Sequence, residues 1–305
     1  MQPSTSMARL IAAAASLGLA LALALPASAV TAATSAAVGQ DAAAGSAEAL
    51  RARYAQLRPR LDSNAFGRPL YLVSQEGPQV LQGDVYGVVE HPFREVSTLT
   101  DADNWCKVLT LPFNVKSCIT RGDSLSLFIG KKNYEPVDKA YRLDFRFVPV
   151  AQGPEYLERR LRAGDGPLGT RNYVILLEAA SIDEHHSFIH LSYSYEYGTM
   201  SKLAMQVYLN TIGAKKVGFS TTTGDDGQPR LVGGMRGVME RNTMRYYLAI
   251  DAYLNSLSAP AGQQLDRRLS DWFAMSARYR RQLWEMERDE YMSMKRAEAQ
   301  HMAQR

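Results

Sequence analysis

The fold of this chain is decided by the stretch QVLQGDVYGVVEHPF, residues 79–93. Its apolar residues between positions 80 and 89 predict a β-strand, and Pro92 ends that strand because proline has no backbone N–H to donate. Three apolar residues then follow at the helical spacing of three: Phe93, Val96 and Leu99. Asp101 can cap a second short helix that carries Trp105. The predicted order is therefore a strand, a break and two short helices.

Alternation of apolar and polar residues dominates the chain between positions 109 and 197. Apolar residues recur at every second position in five sets: Leu109, Leu111, Phe113 and Val115; Leu125, Leu127 and Ile129; Tyr141, Leu143, Phe145 and Phe147; Tyr173, Ile175 and Leu177; Ile189, Leu191, Tyr193, Tyr195 and Tyr197. A period of two indicates strands with one apolar face. Because short turns separate them, the strands are expected to form one antiparallel sheet.

The period becomes helical after position 198. Residues 199–212 predict a helix, 217–232 a hairpin, and 234–257 a long helix. One stripe of the long helix consists of Met239, Thr243, Tyr246, Ile250, Tyr253 and Leu257. Arg236 and Glu240 stand four apart on the same helix and are expected to form a surface ion pair.

Helices are also predicted outside this central region. Residues 46–61 predict an amphipathic helix capped by Ser46, and residues 263–305 predict one long last helix. The last helix has a heptad seam: Leu265, Leu269, Trp272, Ser276, Tyr279, Leu283 and Met286. This seam can pack on the protein's own body, or it can form a coiled coil with a second chain. The second alternative predicts a homodimer through 263–305.

The first strand and the residues after it resemble the START-like, or SRPBCC, superfamily. The resemblance lies in DVYGVVEHPF at 84–93, in Val96 and Leu99, and in the turn Thr100–Trp105. The segment 234–257 is similar to the superfamily's gripping helix. The resemblance implies an α+β helix-grip fold, in which a curved antiparallel sheet wraps around a long C-terminal helix.

The resemblance covers roughly residues 79–257, which are therefore expected to form a START-like domain. An N-terminal helix and connector over 46–78 and a C-terminal helical extension over 263–305 are additions to the superfamily pattern. Residues 30–45 are nearly all small or polar, so they are expected to be a flexible linker.

Residues 1–29 predict a secretory signal peptide. Arg9 precedes an apolar run, and Ala27-Ser28-Ala29 has the small residues of a cleavage site. The alternative is an uncleaved membrane anchor, but the run is shorter than the roughly 20 residues that cross a bilayer. We expect an exported protein that begins near Val30, resides in the periplasm and has no stable membrane span after cleavage.

Charge and motif content narrow the function classes. The chain has 35 Lys and Arg against 31 Asp and Glu, a formal net charge of +4, and these charges are scattered along it. A scattered, weakly basic charge argues against nucleic acid as a partner. No spacing typical of zinc ligands occurs, so neither a metal nor a cofactor is expected. No catalytic motif is present, and we predict no catalytic residue.

Cys106 and Cys118 are the only cysteines of the chain. In an oxidising compartment such a pair predicts one disulfide, which would stabilise the fold by about 3 kcal/mol. The alternative is a pair of buried free thiols.

The resemblance also implies a cavity between the sheet and the long helix. Proteins of this superfamily often bind sterols, lipids or other apolar ligands there. The ligand-binding residues would be Phe145, Phe147, Tyr193, Tyr195, Tyr197, Tyr246, Ile250 and Tyr253. Tyrosine suits such a site because it combines an apolar ring with a hydroxyl. The alternative is a filled core.

Three functions follow from these observations. The first is an exported protein that binds an apolar small molecule or lipid without chemistry. The second is an enzyme of the same fold, similar to a cyclase or a hydrolase, which would need a buried acid or histidine facing the cavity. The third is a scaffold with a filled core that presents its terminal helices to a partner.

Overall fold

A computed structural model describes residues 45–304, apart from residues 211, 212, 214 and 225. The predicted signal peptide and all but the last residue of the predicted linker lie outside the described residues. The helices are α1 Ala47–Asp62, α2 Phe93–Val96, α3 Ala102–Leu109, α4 Thr199–Asn210, α5 Gly234–Ser256, α6 Gln264–Ala277, α7 Arg280–Leu283 and α8 Arg288–Ala303. None of the helices in this part of the chain is both long and apolar enough to cross a membrane.

Eight strands form one antiparallel sheet. They are β1 Leu70–Glu76, β2 Val80–Val89, β3 Val115–Arg121, β4 Ser124–Ile129, β5 Tyr141–Gln152, β6 Tyr156–Asp165, β7 Arg171–Ser181 and β8 Ser187–Glu196. Their spatial order is β1-β2-β8-β7-β6-β5-β4-β3, so the first long strand pairs with the last one. A separate hairpin consists of β9 Thr221–Thr223 and β10 Pro229–Leu231. With α5 packed on β1, β2 and β8, this is an α+β helix-grip fold, as predicted.

The stretch that decided the fold forms the elements it predicts. Strand β2 ends at Val89, Asp101 caps α3 by accepting a hydrogen bond from the Asn104 amide, and the Trp105 indole donates to the Leu99 carbonyl at 3.1 Å. Two glycines of β2, Gly83 and Gly87, allow the long helix α5 to pack close to the sheet. A Cβ at Gly83 would overlap the Thr243 hydroxyl.

Cys106 on α3 and Cys118 on β3 form the predicted disulfide. Their Cα atoms lie 5.5 Å apart and the two sulfur atoms are bonded. A separation of 5.5 Å is typical of disulfides. The bond ties the short helix α3 to the edge strand β3.

The predicted strand around Leu109–Val115 is wrong at its start. Helix α3 continues to Leu109, Pro112 lies in the connection, and β3 begins only at Val115. The alternating apolar residues of this stretch are buried, but they are buried in a helix end and a loop. In this stretch the alternating apolar pattern therefore indicates buried residues and not a β-strand.

The prediction of a single long last helix is also wrong. The chain forms α6, α7 and α8, and the backbone leaves the helical region at Tyr279 and again at Trp284. Five residues of the predicted seam are buried within this chain: Leu269, Trp272, Ser276, Leu283 and Met286. Packing on the protein's own body is thus confirmed, while a homodimer through 263–305 stays a prediction.

Glu240 is buried, which corrects the predicted surface pair. Its carboxylate accepts hydrogen bonds from the backbone amide of Phe219 at 2.6 Å and from the hydroxyl of Ser74 at 2.6 Å. Arg236 donates to the same Ser74 hydroxyl at 3.1 Å instead of pairing directly. A spacing of four places two residues on one side of a helix, but it does not say whether that side is exposed.

Candidate functional site

The inner face of the sheet, which faces α5, carries a group of aromatic rings that we call the tyrosine cluster. Its members are Tyr173 on β7, Tyr193 and Tyr195 on β8, and Tyr246 on α5. The Tyr193 and Tyr246 ring centroids lie 5.4 Å apart in an edge-to-face arrangement, and those of Tyr173 and Tyr195 are stacked at 5.1 Å. These geometries are favourable because the positive edge of one ring meets the negative face of the next.

A cavity of about 320 Å³, the grip cavity, lies beside the tyrosine cluster. Five parts of the chain surround it: the α3–β3 connection, the end of β4, the β6–β7 turn, α4 and α5. Its lining consists of the four clustered tyrosines together with Pro112, Asn114, Ile129, Pro167, Leu168, Thr170, Ser201, Met205, Val238, Asn242 and Arg245. An apolar wall with a few polar groups is the usual form of a small-molecule site.

The hydroxyl groups of the tyrosine cluster differ in how they are bonded. Tyr173 donates to the Thr170 hydroxyl at 2.7 Å. Among the residues that the structure describes, the hydroxyls of Tyr193, Tyr195 and Tyr246 make no hydrogen bond, and none of the three belongs to the fully enclosed side-chain atoms that lack a partner. Burial raises the pKa of Tyr246 to about 12 and raises the pKa values of Tyr193 and Tyr195 as well. All three are therefore neutral at physiological pH and can donate to a ligand.

One end of the grip cavity carries a charged group, Arg245. Its guanidinium pairs with Glu285 at 2.7 Å and donates to the Asn242 side-chain oxygen at 3.2 Å. Lys132 pairs with the same Glu285 carboxylate at 2.8 Å. Burial by itself would raise the pKa of Glu285, but the charges of Arg245 and Lys132 lower it. Glu285 is therefore ionised and holds Arg245 in place at the cavity wall.

Three of the eight residues predicted from the sequence line the grip cavity: Tyr193, Tyr195 and Tyr246. The other five lie around it in the core. Phe145 contacts Tyr173, Phe147 contacts Trp105, Ile250 is fully buried, Tyr197 donates to the Gly77 carbonyl, and the Tyr253 hydroxyl meets that of Thr98. All eight belong to the same hydrophobic core cluster or pack against it, and their role in binding a ligand stays a prediction.

Sequence reasoning missed Tyr173, Asn242 and Arg245 as site residues. Tyr173 was detectable, because it begins an alternating set next to the one that contains Tyr193. Asn242 was also open to inference, since a residue four positions before Tyr246 shares its side of the helix. Arg245 was not, because a residue one position away lies about 100° around the helix. The residues contributed by α4 and the β6–β7 turn gave no such signal.

The outer face of the sheet carries a different, charged cluster beneath α1, which we call the histidine network. The His190 ring lies between Asp84 and Glu178, with nitrogen–oxygen distances of 2.9 and 2.7 Å. Tyr156 donates to the other Glu178 oxygen at 2.9 Å, and the Tyr86 ring stacks on the imidazole at 4.2 Å. Because side chains alternate along a strand, His190 points to the face opposite Tyr193 and Tyr195, where it lies beside α1.

His190 is charged in this network. Burial alone would lower the pKa of its imidazole, but the hydrogen bonds and charges of Asp84 and Glu178 raise that pKa to about 9. The network borders a separate polar cavity of about 470 Å³, which Arg53 and Arg60 of α1 also line. Across the described residues, no group of three histidine, cysteine or acidic side chains is placed to hold a metal ion.

Comparisons with known proteins identify the fold only. No protein-family model matches the chain, and no curated protein matches it. A conserved protein from Geobacillus kaustophilus is 13% identical with a TM-score of 0.33; the alignment covers 57% of this chain and 95% of that one.

Two further solved structures are similar. A START superfamily protein from Mycobacterium smegmatis is 11% identical with a TM-score of 0.28, covering 47% of this chain and 92% of that one. Norcoclaurine synthase from Thalictrum flavum is 15% identical with a TM-score of 0.30, covering 47% and 82%. The helix-grip fold itself is seen in the strand order and in the packing of α5 on the sheet.

Proposed function

We propose that this protein is exported to the periplasm and binds an apolar small molecule or a lipid in the grip cavity, without chemistry. The observation that carries the proposal is the cavity itself, with Tyr193, Tyr195 and Tyr246 in its lining and no hydrogen bond from their hydroxyls to the described residues. In a filled core those hydroxyls would be expected to meet a protein partner. A ligand acceptor atom would satisfy them.

The size of the cavity limits the ligand. At about 320 Å³ it is near the lower end of the roughly 300–1,000 Å³ that small-molecule sites occupy. It can hold a compact apolar molecule or part of an acyl chain. Arg245 at one end favours a ligand that carries an acceptor or a negative charge opposite its apolar part.

Binding is favoured over catalysis by the ionisable groups that line the cavity. They are tyrosines and one arginine, and burial holds the pKa of Tyr246 at about 12. General acid–base catalysis works best with a pKa near the operating pH. His190, whose pKa is raised to about 9, lies on the outer face of the sheet and does not line this cavity.

Two features support export. The leader over residues 1–29 has the pattern of a signal peptide. The Cys106–Cys118 disulfide is of the kind that persists in oxidising compartments. N-terminal sequencing of the protein recovered from the periplasm should begin near Val30, and an intact N-terminus would contradict export with cleavage.

The binding proposal is tested by native mass spectrometry of the exported chain. The wild-type protein should carry a co-purified adduct, or take up a twelve-carbon fatty acid added as a probe. Tyr195→Trp should fill the cavity and lower adduct occupancy at least about tenfold with the fold intact by circular dichroism. Tyr141→Trp, at a position 54% exposed, is the matched control and should bind as wild type. A wild-type chain without any adduct, or a Tyr195→Trp variant that retains it, would support the filled-core alternative.

A further inference from the structure

Helix α1 covers the outer face of the sheet in two different ways. Over β7 and β8 it packs on an apolar group that contains Phe188. Between residues 53–60 of α1, the outward side chains of β1 and β2, and His190, it leaves the polar cavity of about 470 Å³, which we call the outer cavity. Of the eleven residues that line it, only Leu57 and Val73 are aliphatic. A cavity of this composition holds water or a polar ligand, and its size is typical of small-molecule sites.

The floor of the outer cavity is polar because β2 turns every second side chain toward it: Gln82, Asp84 and Tyr86. The Asp84 carboxylate is buried and accepts hydrogen bonds from His190 at 2.9 Å and from Gln82 at 3.1 Å. A carboxylate has about four acceptor positions, so Asp84 can accept a further hydrogen bond from a ligand. Buried charged groups contribute little net stability even when paired, and at a cavity wall they are typical of functional sites.

Two arginines form the opposite wall. Arg53 and Arg60 are about two turns apart on α1, so they lie on the same side of the helix. The guanidinium carbon of Arg53 is 5.4 Å from the centroid of the Tyr86 ring. That of Arg60 is 4.9 Å from the centroid of the Tyr71 ring, and the Arg60 guanidinium donates to the Tyr71 hydroxyl at 2.6 Å. The rings thus orient both guanidinium groups, whose exposure to solvent lets a ligand enter from the α1 side.

The four arginines of α1 differ in how they are paired. Arg51 and Arg58 each pair with a carboxylate, at 2.7 and 3.6 Å, and neither lines the outer cavity. Arg53 and Arg60 line it, and neither forms an ion pair with a carboxylate of the described residues; they donate to neutral side chains instead. The two arginines that face the cavity are therefore the two that can bind an oxyanion from solution.

The charges around the outer cavity do not balance. Three cations line it, Arg53, Arg60 and His190, against the single carboxylate of Asp84. Glu178 contacts the far side of the His190 ring at 2.7 Å and adds one more negative charge. One positive charge therefore remains, and a bound anion would neutralise it.

We propose that the outer cavity is a second binding site, for a small polar molecule that carries one oxyanion, a carboxylate or a phosphate, and several hydroxyl groups. Arg53 and Arg60 bind the oxyanion through charge-assisted hydrogen bonds, which the planar guanidinium group favours. Asp84 and Gln82 bind the hydroxyl groups at the floor. This site is separate from the grip cavity, and the proposal does not rest on the proposed function.

Isothermal titration calorimetry of the exported chain tests the site with three probes: D-gluconate, D-glucose 6-phosphate and uncharged D-glucose. At least one of the two anions should bind with a Kd of about 1 mM or tighter. Glucose should bind at least about tenfold more weakly, because it lacks the group that accepts the charge-assisted hydrogen bonds. The tighter of the two anions identifies the oxyanion as a carboxylate or a phosphate.

The double variant R53Q/R60Q should weaken binding of that anion at least about tenfold. Arg58→Gln is the matched control, because it removes the same charge from an exposed residue of the same helix outside the cavity, and it should bind as the wild type. Equal affinities of R53Q/R60Q and Arg58→Gln would overturn the proposal. So would a wild-type chain that binds neither anion, or one that binds glucose as tightly as the anions.

The same variants separate this proposal from the proposed function. R53Q/R60Q should keep the adduct of the grip cavity in native mass spectrometry while losing the anion. Tyr195→Trp should lose the adduct while keeping the anion. A protein that carries no adduct and still binds the anion through Arg53 and Arg60 would remove the proposed function and support the second site, whereas an adduct without anion binding would overturn the second site alone.

Discussion

The two faces of one sheet bury polar groups in opposite ways. Along β8, Tyr193 and Tyr195 point toward α5, whereas His190 points toward α1 between Asp84 and Glu178. The inner face holds neutral hydroxyls, three of which have no partner among the described residues. On the outer face, His190 is paired with both Asp84 and Glu178. A buried charge without a partner is strongly destabilising, whereas a buried hydroxyl without a partner costs less free energy and remains available to a ligand.

The largest expected effect comes from breaking the histidine network. His190→Phe would leave Asp84 and Glu178 buried beside each other without a cation. Removing one partner of a buried ion pair typically costs about 3–5 kcal/mol, and we expect a loss of that size in urea unfolding. Tyr195→Phe, the matched change on the inner face, should cost about 1 kcal/mol or less, because that hydroxyl has no described partner. Similar losses in both variants would contradict the contrast between the faces.

The histidine network also predicts how stability depends on pH. The pKa of His190 is about 9 in the folded protein, against 6.5 for an ordinary histidine. The folded state therefore binds more protons between these pH values, and stability should fall as pH rises through them. A shift of this size corresponds to about 3 kcal/mol. The free energy of unfolding, measured from pH 6 to 8, should decline in the wild type and decline less in His190→Gln.

A buried lysine in α8 should act in the opposite direction at higher pH. The Lys295 ammonium donates to the Val115 carbonyl at 2.7 Å and pairs with Glu298 at 2.9 Å. Burial lowers the pKa of Lys295 to about 8, from the 10.5 of an ordinary lysine. The unfolded chain then binds more protons between pH 8 and 10.5, so this group makes stability rise with pH by up to about 3 kcal/mol. Lys295→Met should remove that rise, and an unchanged pH profile would contradict the lowered pKa.

The smallest predicted effect distinguishes residues of the inner face that line the grip cavity from residues that are buried in the core. Ile250 is fully buried in the core, so Ile250→Trp would overpack it and should cost about 1–3 kcal/mol. Tyr195→Trp grows into the grip cavity and should cost less than Ile250→Trp. Thermal unfolding of the two variants checks this order. The reverse order would mean that the space beside Tyr195 is already occupied by protein atoms.

Much of the fold was readable from local patterns. The strand at 80–89, the cap at Asp101 and the long helix from Gly234 all form as predicted, because each depends on residues close in sequence. The prediction of one long last helix was wrong although its heptad pattern is present. Packing against the rest of the chain allows the helix to be interrupted at Tyr279 and Trp284, and a heptad pattern does not reveal such breaks.

The candidate site was readable only in part. The period of two put Tyr193 and Tyr195 on the inner side, and the helical period put Tyr246 opposite them. The same reasoning predicted Ile250 as a ligand-binding residue, although Ile250 is buried in the core and does not line the cavity. Arg245 escaped notice because its role depends on Glu285, forty positions away, which holds it at the cavity.

The sequence by itself determined the apolar side of most strands, the order of most elements and the pairing of Cys106 with Cys118. These depend on periodicity, local sterics and the number of cysteines. Only the tertiary structure decided where the packing leaves a space, which tyrosines border it, and how His190 is paired. Such features depend on how residues far apart in sequence fill the same volume, and no local pattern contains that information.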